Sequence, residues 1–144
     1  MWAGAGAMTL AALGGATRGD TKIGEPVSRR MRARAESLSR LIDTRYQLEN
    51  NLFSTDPNGT SPSFNWGAGV MLTARVAMAA MDDKHRPDLA RFITACDAYW
   101  KADDGGLWGY DASANNANFD RYYDDNQWMS LALVEAFELT GERS

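Results

Sequence analysis

Apolar positions recur along this chain at helical spacing, and four segments carry the pattern. Over 27–53, Leu38, Leu41, Ile42, Leu48 and Leu52 make one stripe, and arginines occupy much of the remaining surface. Over 66–81 the chain is apolar nearly all round, with Thr73 and Arg75 its only clearly polar members. The third segment, 87–100, is amphipathic again: Leu89, Phe92, Ile93, Cys96 and Tyr99 face one way, and Pro87 sits where a first helical turn tolerates a missing N–H. The fourth, 125–140, is apolar almost throughout and is closed by Gly141, a natural helix stop. No stretch alternates with period two, so no strand is expected and the fold class is all-α. A helix apolar on every side has to be surrounded by protein or lipid. With Arg75, Glu135 and Glu138 inside them, the second and fourth are expected in a protein interior. The order amphipathic, buried, amphipathic, buried suits a toroid of hairpins, each giving one outer and one inner helix. A four-helix bundle would show four similar stripes instead.

Two long connections, 54–65 and 102–123, are rich in Gly, Asn, Asp and aromatic residues, and both lead into an apolar helix. Loops of that length and composition often carry function. One end of the fold is therefore expected to gather Phe64, Trp66, Trp108, Tyr110, Phe119, Tyr122, Tyr123 and Trp128. Aromatic faces beside Asn and Asp side chains suit a sugar ring with its apolar C–H faces and hydroxyl rim. The same aromatics also suit plain packing of loops onto a core.

Composition narrows the classes. A net charge of −4 gives no electrostatic footprint for nucleic acid, whereas a neutral polysaccharide makes no demand on charge. Cys96 is the only cysteine, which rules out an internal disulfide and argues against a thiolate-held metal. No metal and no cofactor are expected. His85, also alone, falls in a polar turn. Residues 1–26 form a separate segment: 1–16 is small and apolar like the core of an export signal, though without a basic start, and too short and glycine-broken to span a membrane. A secreted or periplasmic location is the expectation from it. Residues 27–144 form the helical domain.

The densest chemistry lies in Asp120-Arg121-Tyr122-Tyr123-Asp124-Asp125-Asn126-Gln127-Trp128. Asp124 would serve as a helix N-cap, with Gln127 completing a capping box. Yet one cap needs one carboxylate, and here two stand side by side. Like charges held close raise the pKa of one partner, which gives a proton donor and an ionised carboxylate at one pH. Glycoside hydrolysis needs that division, and consecutive α-carbons about 3.8 Å apart allow the roughly 5–5.5 Å carboxyl spacing of a retaining mechanism. Two other doublets, Asp82-Asp83 and Asp103-Asp104, read as solvated turns.

The string Tyr122 to Trp128, followed by Leu131-Ala132-Leu133 and Leu139-Thr140-Gly141-Glu142, resembles the signature of glycoside hydrolase family 76, the α-1,6-mannanases and related transglycosidases. Asn65-Trp66-Gly67 and Leu107-Trp108-Gly109-Tyr110 resemble that family's pattern in order and spacing, and the similarity runs over 38–142. The resemblance implies an (α/α)6 barrel of which about two hairpins are present, and retention through consecutive aspartates. On that basis Asp124 is the nucleophile and Asp125 the general acid/base. Tyr123, Asn126, Trp66 and Trp108 are the substrate-binding candidates, and mannan is the partner. The alternative is a catalytically inactive truncated barrel that binds carbohydrate or protein and self-associates through uncovered apolar helices.

Overall fold

The first helix, α1, runs from Glu25 to Tyr46 in a computed structural model that describes residues 25–115 and 120–141. Phe119 and most of the signal-like segment lie outside the described residues; Glu25 and Pro26, assigned to that segment above, belong to α1. The helix was expected to reach residue 53 but ends at Tyr46, and the chain reverses over 47–53, where Asn51 takes the left-handed conformation (φ 65°). A Leu48 N–H to Leu52 O bond of 2.8 Å and a bridge between Gln47 and Phe53 close the turn. Leu52 and Phe53 thus enter the core from a loop, not from a helical stripe.

Helix α2 spans Asn65–Met81, and α3 spans Arg86–Cys96 after a single 3-10 turn at Asp83–His85. Beyond Cys96 the chain tightens into a 3-10 turn, Asp97–Tyr99, and leaves as a strand, so the helix expected to 100 ends at 96. That strand, β1 (Trp100–Ala102), pairs antiparallel with β2 (Trp108–Tyr110). Three-residue strands are too short to print a period-two pattern, which is why none was expected. The turn between them is built by Asp103, whose Oδ1 accepts from the N–H groups of Gly105 and Leu107, both at 2.9 Å. Helix α4, Tyr123–Thr140, ends at Gly141 (φ 70°), whose N–H bonds the Phe137 carbonyl at 2.7 Å.

The fold is mainly helical, as the pattern required, with a small hairpin added. Its core collects Leu72, Ala79, Leu89, Phe92, Cys96, Tyr99, Met129 and Ala132, with Phe53 and Phe92 edge to face at 5.2 Å. Burial pushes the Cys96 thiol and the Tyr99 phenol up to about 12 each, and Tyr99 donates its hydroxyl to the Ser63 carbonyl at 2.7 Å. Arg75 is buried on α2, where it pairs with Asp43 of α1 and lies 5.2 Å over the Phe53 ring.

Two expectations about burial need correction. Neither α2 nor α4 is enclosed on all sides: α2 exposes Trp66 and Val70, and α4 exposes Leu131, Val134 and Phe137. Each buries one face, Asp125, Met129, Ala132 and Ala136 in the case of α4. The two helices run in the same direction. Both begin against the 110–112 segment, and α2 leads through the 3-10 turn into α3, whose start borders Phe137 and Thr140 at the far end of α4. They touch at Gly69, where an added Cβ would stand 3.0 Å from the Trp128 Cβ. No helix among the described residues is long and apolar enough to cross a membrane.

Candidate functional site

One turn back from the Gly69–Trp128 crossing, α2 carries Asn65 and Trp66, and α4 carries Asp124 and Asp125. The acidic pair therefore sits at the shared N-terminal end of two parallel helices. Asp124 was expected to cap α4 with Gln127 in a capping box, but the helix starts two residues earlier. Its N-cap is Tyr122, which makes no side-chain cap bond. Asp124 lies inside the first turn, where its Oδ1 accepts from the Asp125 N–H at 3.1 Å. It keeps the favourable position at the positive end of the helix without acting as a cap.

Successive helical residues differ in direction by about 100°, and this separates the two carboxylates. Asp124 is exposed, on the side of α4 that also carries exposed Trp128 and Leu131. Asp125 points with Met129 and Ala132 toward the core and is 8% exposed. Burial raises the Asp125 pKa above the ordinary carboxyl value, and the Asp124 charge beside it adds to the rise. The site thus holds two carboxyl groups in unlike environments.

That asymmetry has a measurable consequence for stability. A carboxyl whose pKa is higher folded than unfolded binds more protons in the native state between the two values, so its contribution is complete below the ordinary value and is lost as pH rises through the raised one. The stability of wild type relative to Asp125→Asn, measured in urea across pH 3 to 7, should therefore decline as pH rises. Parallel curves for the two proteins would deny the shift.

The other candidates take different positions. Trp66 is 58% exposed at the start of α2, and Tyr123, at the first position of α4, is 91% exposed. Trp108 is exposed on β2, on the hairpin face shared with Trp100 and Tyr110; its ring stacks on Trp100 at 6.0 Å, and Trp100 tilts against Tyr110 at 4.9 Å. Tyr110 is half-buried and its phenol is pushed up to about 12, mainly by burial, so it is a packing residue more than a platform. The opposite face of the hairpin, at Gly109, abuts Arg121 and Asn126. Asn126 is engaged with protein: its Oδ1 accepts from the Tyr110 N–H at 2.9 Å, and its Nδ2 donates to the carbonyls of Tyr110 and Tyr122 at 2.9 and 3.0 Å.

Three residues of this region were given no role from sequence. Arg121 bonds the buried Asp111 carboxylate (2.9 Å) and the carbonyls of Leu107 and Lys101 (both 2.8 Å), tying the hairpin to the start of α4. Asp111 is its buried partner. Asn65 is fully buried, and neither amide atom has a hydrogen-bond partner. The aspartate and arginine flanking the aromatic run were the available signal, but pairing them needs the fold. Among the described residues no group of three His, Cys, Asp or Glu lies together in a way that could hold a metal ion.

No family model matches this chain, and no curated protein or solved structure matches it either.

Proposed function

We propose that the chain carries the catalytic turn of a retaining glycoside hydrolase acting on α-1,6-linked mannan. The observation behind this reading is the pair itself: an exposed Asp124 next to a buried Asp125 whose pKa is raised, on an uncapped helical turn flanked by exposed Trp66 and Trp128. The Asp124 carboxylate attacks the anomeric carbon while Asp125 gives its proton to the departing glycosidic oxygen. The C–O bond breaks and a glycosyl ester forms on Asp124. Asp125, now ionised, takes a proton from water as that water displaces the ester and restores both groups. With 8% of its surface exposed, Asp125 has to reach outward for these transfers. Trp66 and Tyr123 supply aromatic walls, and Trp108 extends the surface on the hairpin. The parallel α2 and α4, flanked by α1 and α3, are compatible with adjacent inner helices of an (α/α)6 toroid. Incubation with α-1,6-mannan should release reducing ends whose first-formed anomer is α by proton NMR. A β product, or no product, counts against the reading.

A second reading, an inactive interaction fragment, is favoured by one observation: Leu131, Val134 and Phe137 line an exposed apolar face on α4, 45–62% accessible. Such a contiguous face commonly marks a binding surface. In that case light scattering behind size-exclusion chromatography should find a mass above 15.8 kDa that grows with loading concentration, and a single monomer peak at all loadings would oppose it.

A further inference from the structure

The first turn of α4 has an unusual support. A helix start leaves four N–H groups without helical partners, and a side-chain cap normally fixes the turn. Tyr122 gives no such cap. The Asp124 carboxylate accepts from one of these groups, the Asp125 N–H, and the side chain of Asn126 ties the turn to the hairpin: it pairs with both the N–H and the carbonyl of Tyr110 as a neighbouring strand would, and bonds back to the Tyr122 carbonyl with its remaining N–H. Both amide hydrogens are thereby used, leaving no N–H for a sugar hydroxyl. The approach is close on the Arg121 side: a Cβ on Gly109 would lie 3.3 Å from the Arg121 Cδ, tighter than an ordinary contact, and 3.5 Å from the Asn126 Oδ1, an ordinary one.

We infer that Asn126 is a positioning residue: by pairing with the Tyr110 backbone it fixes the first turn of α4, and so sets the direction in which the backbone presents Asp124 (outward) and Asp125 (against the core), leaving side-chain rotation as the outward reach of Asp125. The inference builds on the hydrolase reading for its purpose, but its geometry is independent of any substrate. The turn carries both carboxylates within two residues of Asn126, so a change in its pitch redirects them together. The hairpin is the rigid reference, because Arg121 clamps its two strands and its turn at the Lys101 and Leu107 carbonyls and at Asp111. Trp108 rides on the same hairpin, so one network sets the distance between an aromatic surface and the acidic pair.

The test reads the acidic pair directly. Carboxyl-carbon NMR titrations of Asp124 and Asp125, with hydrogen exchange at the Tyr110 amide, are compared among wild type, Asn126→Ala, Gly109→Ala and Ser130→Ala. Ser130 bonds the Asn126 carbonyl from the exposed side of the helix and serves as the control. In Asn126→Ala the Tyr110 amide should exchange about five- to tenfold faster, as loss of a bond worth roughly 1–1.4 kcal/mol requires. The Asp125 midpoint should fall toward the ordinary carboxyl range as water reaches the loosened turn. Gly109→Ala, which leaves every site side chain in place, should shift Asp125 in the same direction by less, and Ser130→Ala should shift nothing. An Asp125 midpoint unmoved in both Asn126→Ala and Gly109→Ala overturns the inference. Should Asn126→Ala fail to fold, Asn126→Ser, polar but too short to pair with the Tyr110 backbone, decides by the same two readouts. Since no step involves mannan, failure of wild type to cleave mannan removes the hydrolase reading and leaves this result standing.

Discussion

Under the proposed hydrolase mechanism, Asp124→Asn is expected to remove cleavage of α-1,6-mannan while the protein keeps its fold. Asparagine cannot supply the oxygen anion that becomes the glycosyl ester, so the loss should be on the order of 10⁴-fold or more, the scale seen when a covalent nucleophile is deleted. The structural cost should be small. Asp124 is exposed, and the bond it makes, accepting from the Asp125 N–H, can be kept by the amide oxygen of asparagine. What remains is the loss of a negative charge near a helix N-terminus, about 0.3–1 kcal/mol. Mannan turnover and urea midpoints measured on the same preparations separate the two effects. Lost activity with a midpoint nearly unchanged supports the nucleophile, while a fall of several kcal/mol would mean that the carboxylate acts chiefly as a structural anchor of α4.

The largest effect on stability should come from Arg121→Ala. Its guanidinium makes three bonds of 2.8–2.9 Å, one of them to Asp111, whose side chain is 2% exposed. Removing the arginine leaves that carboxylate buried with Lys101 Nζ, at 3.8 Å, as its remaining cationic neighbour among the described residues. Breaking a buried pair from one side costs roughly 3–5 kcal/mol, and Lys101 with the arginine's partial exposure places this case near the lower end, about 3 kcal/mol. Arg121→Lys keeps the charge but loses the planar fork, and should recover only part of the loss. A useful contrast is Arg91→Ala, which breaks a solvent-exposed pair with Asp88 on α3 and should cost under about 1 kcal/mol. Urea midpoints of the four proteins order these expectations. Equal effects of Arg121→Ala and Arg91→Ala would show that the hairpin clamp does not hold the fold together.

Several elements were legible because their cause is local. Helical spacing of apolar residues placed α2 and α4 to within a residue or two, Pro87 fell in the first turn of α3, and Gly141 took the positive φ that ends α4. The Asp103-Asp104-Gly105-Gly106 turn was readable for the same reason, since a carboxylate accepting from the next N–H groups is a short-range event. The reversal at Asn51 and the three-residue strands escaped, because neither leaves a periodic trace. The apolar character of α2 and α4 was read as burial on every side, but sequence reports only how much apolar surface a helix carries. Which part of it meets a neighbour depends on where the other helices lie.

The acidic pair divides in the same way. Its presence between aromatic residues, and the chance that one carboxyl is more basic than the other, follow from two like charges in succession. Local pattern was enough for a helical chain with that pair at the entrance of α4. Only the tertiary structure decided which carboxyl is buried, because that depends on the rotation of α4 against α2, set where Gly69 admits Trp128. It also decided that Asn126 grips a strand and that Arg121 finds Asp111. Those partners are separated by ten to sixteen residues of sequence, and no local pattern fixes which long-range pairs will meet.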